Sequence, residues 1–148
     1  SLSTPCGEIG GIICYESIYP HIARKSVSGG AEVLVIVSND SWFGQSAALY
    51  QHHSSAVLRA VENNRYVLRS SSTAITSAIS PKGKVIALAE PYRDCAVTVE
   101  FSAIQKRTLY SRVGDIIVIP SIVIFIITIY KTISRSLPDN KKLPYQRH

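Results

Sequence analysis

Glu32-Val33-Leu34-Val35-Ile36-Val37-Ser38 is the stretch that decides the fold. Its apolar residues are consecutive and mostly β-branched, which favours a strand. They do not alternate with polar residues, so the strand is expected to be covered on both faces. Working outward, residues 39–44 (NDSWFG) predict a loop, and residues 46–64 predict a helix with Leu49, His53, Val57 and Val61 on one face. On the other side, residues 11–15 (GIICY) predict a second buried strand. Pro20 suits the first turn of a short helix over 21–27, which Gly29 and Gly30 end. Residues 66–71, 73–80, 84–89 and 95–101 predict four more strands, with a turn at Pro81-Lys82-Gly83. The order β-α-β-α-β-β-β-β points to a mixed α/β layered domain rather than a purely parallel sheet.

The 148 residues suffice for one domain with a core. Met is absent and the chain opens at Ser1, so it reads as a processed or truncated segment. Net charge is +6, but Lys131, Arg135, Lys141, Lys142 and Arg147 against Asp139 place +4 of it after Tyr130. The remainder is nearly balanced and shows no basic face with interleaved aromatics, so a nucleic-acid partner is not expected. Cys6, Cys14 and Cys95 are odd in number and lack CxxC spacing. Neither a zinc site nor a disulfide framework is expected, and no cofactor or metal is implied.

Residues 116–130 (IIVIPSIVIFIITIY) carry no charge. As a helix they span about 22 Å, short of the ~30 Å hydrocarbon core, and Lys131 can snorkel to extend the reach. A core strand or buried helix is the competing reading. Length, lack of alternation and the basic flank favour a transmembrane helix, assigned to residues 113–134. Residues 1–112 then form the folded domain and 135–148 a basic tail. The positive-inside tendency puts that tail in the cytoplasm and residues 1–112 on the other side.

Cys14 is the candidate nucleophile. It stands where a buried strand ends and a turn leads toward a helix, a geometry that exposes a side chain and favours a thiolate. A cysteine flanked by Ile12, Ile13 and Tyr15 is also commonly an inert core residue. Glu16 either enters the site or serves as a helix N-terminal carboxylate. Asn39 and Asp40 either line a pocket or make an ordinary turn. Trp42 and Phe43 either wall the pocket or pack as core. His52 and His53 are adjacent on the predicted helix, point apart and read as structural. Arg59, Glu62 and Arg65 are spaced for pairs on the helix face.

Cys14-Tyr15-Glu16, Ser38-Asn39-Asp40-Ser41-Trp42-Phe43-Gly44, Gln51-His52 and Arg59-Ala60-Val61-Glu62-Asn63-Asn64-Arg65 follow one another in order. The series resembles the carbon–nitrogen hydrolase, or nitrilase, superfamily. The ICYE and SNDSWFG runs, with Tyr110-Ser111-Arg112-Val113-Gly114-Asp115 before the apolar run, resemble its lipoprotein-acylating family, the apolipoprotein N-acyltransferases.

That resemblance implies an α/β fold, the C-terminal half of a nitrilase-like α-β-β-α sandwich followed by one transmembrane helix. It implies a Glu-Lys-Cys triad, in which Cys14 matches the cysteine; the Glu and Lys have no counterpart here. The implied reaction moves a fatty acyl chain from a phospholipid, through a thioester on Cys14, to the N-terminal amine of S-diacylglyceryl-cysteine in a lipoprotein. The Tyr15 N–H becomes an oxyanion donor and Glu16 a supporting group. The phospholipid donor, the lipoprotein acceptor and the membrane are the implied partners, and the bacterial inner membrane, with the catalytic domain on the periplasmic side, is the implied location. A membrane-anchored nitrilase-type amidase and a non-enzymatic interaction domain remain as alternatives. The 148 residues alone are expected to be inactive.

Overall fold

The computed structural model describes residues 1–136 except Cys6, Glu90 and Asp94. Cys6 and most of the basic tail therefore lie outside the described residues. The elements are β1 (Leu2–Thr4), β2 (Gly7–Ile13), α1 (Pro20–Ser28), β3 (Val33–Ser38), α2 (Ala48–Asn63), β4 (Tyr66–Ser71), β5 (Thr76–Ile79), β6 (Val85–Ala89), α3 (Leu109–Val113) and α4 (Val118–Ser136). Two short 3-10 turns, Cys14–Ile18 and Ser41–Phe43, follow β2 and β3.

The strands form one six-stranded sheet in sequence order. β2, β3 and β4 are parallel, with Gly11 opposite Val35 and Val35 opposite Leu68. β1, β5 and β6 add antiparallel edges. Parallel neighbours need a crossover, and α1 and α2 supply the two here. Both helices cover one face. Ile12, Leu34, Ile36, Val67 and Ile79 from the sheet meet Ala23, Val27, Ala56 and Ala60 from the helices. Each fully buried Ile, Leu or Val among them contributes about 1.5–3 kcal/mol.

Three expectations are corrected. First, β3 is not covered along both faces. Ile13 and Val37 are exposed on the side away from the helices, where Val35 and Leu68 are half-buried. One sheet and one helical layer are present among the described residues, which is one β-α half of a sandwich.

Second, residues 95–101 pair with no strand. Their burial alternates, with Val97, Val99 and Phe101 half-buried, which is why they read as a strand. Instead of joining an edge, the segment crosses the open face of the sheet. Cys95, Ala96, Val97 and Val99 wall a cavity of about 290 Å³ with Val35, Leu68 and Ala78. Further on, the Phe101 ring meets Tyr66.

Third, α2 is rotated from the expected stripe. Its buried residues are Leu49, His52, Ala56, Arg59, Ala60 and Asn63, while Val61 is 48% exposed. Alanines let the helix approach the sheet closely, and the polar residues go inside because they find partners there. Val57 still packs against the core from its edge, and together with Val61 it flanks Gly83 in the β5–β6 turn. There φ is +78°, and a Cβ would lie 2.8 Å from Val61 Cγ2. Arg65, expected on the helix face, lies past the left-handed Asn64 cap. It is buried and donates to the carbonyls of Ala31 (2.7 Å), Lys106 (2.8 Å) and Gln105 (3.2 Å), tying the returning segment to the start of β3.

The chain divides into a unit Ser1–Gly114 and a second unit beginning at Asp115. In the second, α4 is apolar and exposed all round. Its Ser121, Thr128 and Thr132 hydroxyls donate to carbonyls four residues back, which satisfies these three donors without water. Nineteen helical residues reach about 28 Å. Val118–Arg135, with a mean hydropathy of 1.6, is long and apolar enough to cross a membrane.

Candidate active site

Because β2, β3 and β4 are parallel and adjacent, their C-terminal ends share one edge of the sheet. Loops cluster there, and such edges are where open α/β sheets bind ligands. Cys14 follows β2, Asn39 and Asp40 follow β3, and Ser72 follows β4. The edge places Cys14, Asn39 and Asp40 on the loops of adjacent parallel strands.

Cys14 opens the first 3-10 turn with φ +49°, a left-handed conformation uncommon for any residue carrying a Cβ. Its thiol is free and half-exposed, and Sγ lies 4.0 Å from the Asn39 carbonyl oxygen. The α-helix that follows begins only at Pro20, so the thiol sits at the head of a tight turn rather than at the tip of α1. The exposed Tyr15 ring packs edge-on to Tyr19. Glu16 caps the turn: its Oε2 accepts from the Ile13 N–H at 2.8 Å. The helix-terminal role considered for Glu16 is thus realised at this turn.

Asn39 Oδ1 accepts from the Ser41 N–H at 3.3 Å and the Ser72 hydroxyl at 2.9 Å, locking the loop across the edge. Phe43 stacks edge-on against the His52 ring, 5.7 Å between centroids. With Tyr15, Ile18, Ala48, Gln51 and His52 it lines an open cavity of about 250 Å³. Trp42 is 73% exposed beside it.

Asp40 differs from its expected place. It does not line the open side but is fully buried. Its carboxylate accepts from the Arg69 guanidinium (2.5 Å), the Ser38 hydroxyl (2.5 Å) and Ser71 Oγ (3.3 Å), and His52 Nδ1 lies 3.0 Å away. Burial alone raises the Asp40 carboxyl pKa. The Ser38 hydroxyl, the Arg69 charge and His52 outweigh it and hold the carboxyl below its ordinary range. Burial lowers the Arg69 pKa, an effect that Asp40 opposes.

The Arg69–Asp40–His52 cluster was missed as a unit in the sequence. Its signal is Arg69 itself. An arginine at an inward-facing position of a buried strand needs an anion. Among the described residues, the loop carboxylate closest in register is Asp40. Neighbouring His53 is separate: it bonds Ser77 Oγ at 2.9 Å, and burial followed by the Arg69 charge lowers its pKa.

Residues 1–106 match the family model described as Carbon-nitrogen hydrolase. The chain is 37% identical over 116 residues to the apolipoprotein N-acyltransferase of Geobacter metallireducens, covering 78% of this chain and 22% of that protein. It is 32% identical over 118 residues to that of Thermotoga maritima, covering 80% of this chain and 24% of the relative. It thus spans about a quarter of the length of these relatives. A solved carbon-nitrogen hydrolase from Helicobacter pylori G27 superposes with a TM-score of 0.57 at 16% identity, over 63% of this chain and 40% of that one, a likeness of fold. The half-sandwich, the cysteine at the edge of its parallel strands and the family match agree: the chain belongs to the carbon–nitrogen hydrolase family.

Proposed function

We propose that this chain is the nucleophile-bearing part of a membrane-bound N-acyltransferase acting on lipoproteins. The observation that carries the reading is Cys14: a free, half-exposed thiol, held in a left-handed turn at the loop-bearing edge of three parallel strands. The similarity to apolipoprotein N-acyltransferases and the apolar helix α4 supply the substrate class.

The Cys14 thiolate attacks the ester carbonyl of a phospholipid. A C–S bond forms, the ester C–O bond breaks, and the lysophospholipid leaves with a proton. The α-amine of an S-diacylglyceryl-cysteine then attacks the thioester. A C–N bond forms, the C–S bond breaks, the amine gives up a proton and the thiolate returns. The Tyr15 N–H, next to the nucleophile, is the proposed oxyanion donor. Trp42 and Phe43 flank the acyl chain, and Asn39 shapes the floor beneath the thiol. The general base and a second oxyanion donor, a Glu and a Lys by the family resemblance, come from polypeptide outside these 148 residues, which are inactive alone. α4 crosses the bacterial inner membrane. Residues 1–112 lie on the periplasmic side, and the basic residues after Tyr130 face the cytoplasm.

The test is a chimera in which residues 7–114 replace the matching part of the Geobacter metallireducens enzyme. Transfer of an acyl chain from phospholipid to a lipoprotein N-terminus supports the reading. Hydrolysis of small amides without acyl transfer supports the second reading, a membrane-anchored amidase in which water resolves the acyl-enzyme, as the family's hydrolase fold allows.

A further inference from the structure

The left-handed conformation of Cys14 is disfavoured for a residue with a Cβ, so the surrounding structure must hold it there. The hydrogen bonds around the turn identify the holder. Ser17, three residues on and fully buried, places Oγ 2.9 Å from His52 Nε2. The same nitrogen lies 3.3 Å from the Cys14 carbonyl oxygen. On the far side of the ring, Nδ1 pairs with Asp40 at 3.0 Å, while Nε2 faces the turn within hydrogen-bond distance of the Ser17 hydroxyl. Asp40 cannot swing, because Arg69 and Ser38 hold its two oxygens. Arg59 secures the turn's other end, donating to the carbonyls of Ser17 at 3.3 Å and Ile18 at 3.1 Å.

We propose that Asp40, His52 and Ser17 form a positioning chain that fixes the Cys14 turn, and with it the direction in which the thiol is presented. None of the three touches the reacting atoms. His52 is a positioning residue rather than a base for the thiol: its contact with Cys14 is at the carbonyl oxygen, and both ring nitrogens are engaged. A buried ion pair with a histidine spanning helix, sheet and turn gives the site a rigid back wall, of the kind that secures functional geometry. The proposal rests on the reading of Cys14 as the nucleophile, but it is tested without acyl transfer.

The test uses the whole 148-residue chain in detergent. N-ethylmaleimide labelling of Cys14 is followed by peptide mass spectrometry relative to the exposed Cys95 in the same molecule, well below the melting temperature. Ser17→Ala is expected to change the Cys14-to-Cys95 rate ratio by roughly three- to tenfold, the equivalent of one lost hydrogen bond. Ser17→Thr, which keeps the hydroxyl, is expected to restore it. An unchanged ratio in Ser17→Ala, or an equal change in Ser17→Thr, overturns the proposal. Amide hydrogen exchange of the unaltered chain is the second measurement and needs no variant to fold. Amides of residues 14–18 should exchange as slowly as those of α2, and exchange at free-turn rates overturns the proposal. Absence of acyl transfer in the chimera described above, with a ratio that still responds to Ser17, would reject the function and leave the positioning chain standing.

Discussion

The Cys14 sulfur lies 4.0 Å from the carbonyl oxygen of Asn39, so the ends of two neighbouring parallel strands meet at the thiol. The approach of the two strand ends depends on what lies behind Asn39. The next residue, Asp40, is the anion that neutralises a buried arginine from the third parallel strand. The position of the Cys14 thiol and the stability of the fold are therefore coupled through one loop.

Removing the Asp40 carboxylate leaves the Arg69 guanidinium buried and unpaired. Asp40→Ala should cost about 3–5 kcal/mol, measured by urea unfolding near neutral pH. The acid limb gives a second readout. The folded-state pKa of Asp40 is depressed, so its contribution is complete above the ordinary carboxylate pKa of about 3.9 and is lost as pH falls through the lower folded value. Below that ordinary value, part of the acid dependence should vanish in Asp40→Ala. An identical acid profile in both proteins would remove Asp40 from this role.

His53 acts at higher pH. Its folded pKa is lowered by burial and then by Arg69, so the unfolded chain takes up the proton first, near pH 6.5. Stability from this residue is complete above that pH and declines as pH falls toward the folded value. His53→Gln, whose amide can still reach Ser77, should flatten the slope of unfolding midpoint between roughly pH 7.5 and pH 5. A slope kept intact would place the titrating group elsewhere.

Two adjacent glycines in β2 make an internal control. A Cβ on Gly10 would lie 2.9 Å from both Ala31 Cβ and Leu34 Cδ2, while one on Gly11 meets nothing within 4 Å. Gly10→Ala should destabilise by about 1–3 kcal/mol through overpacking between sheet and α1. Gly11→Ala should be neutral or stabilise by up to about 1 kcal/mol, because it removes backbone freedom from a strand. Thermal melts that rank the two variants the other way would contradict the assignment of which face α1 covers.

These contrasts show what was legible in the chain. The strand at 33–38 is a continuous, mostly β-branched apolar run and that at 66–71 opens on Tyr66-Val67-Leu68, and their reading needed no tertiary information. Cys14, Asn39 and Phe43 were singled out from the ICYE and SNDSWFG runs, and the structure places them in the turns that follow β2 and β3. The rotation of α2 was not legible. Valines outrank alanines on any hydropathy scale, yet close approach to the sheet selects Ala56 and Ala60, leaving Val57 at the margin of the core and Val61 exposed. Residues 95–101 have a strand's alternation, but period alone does not say whether a chain pairs at an edge or crosses a face. Nor was the inward turn of Asp40 visible, since it depends on Arg69, 29 residues away.

The membrane reading of α4 has a direct measurement. Ile124→Arg places a charge near the middle of the 18-residue apolar stretch and should raise the insertion cost by about 2.5–3.5 kcal/mol. Alkaline carbonate should then extract a larger share of the variant from membranes than of the unaltered chain. Equal extraction of the two would argue that the helix does not span.

The sulfur at the head of the first turn is the atom through which the proposed acyl transfer runs. In the Geobacter metallireducens chimera, incubated with phospholipid and no acceptor, the peptide containing Cys14 should gain the mass of one fatty acyl group. Hydroxylamine should remove that mass, as it does a thioester, and Cys14→Ser should abolish turnover to lipoprotein. Continued acyl transfer by the Cys14→Ser chimera would contradict the claim outright.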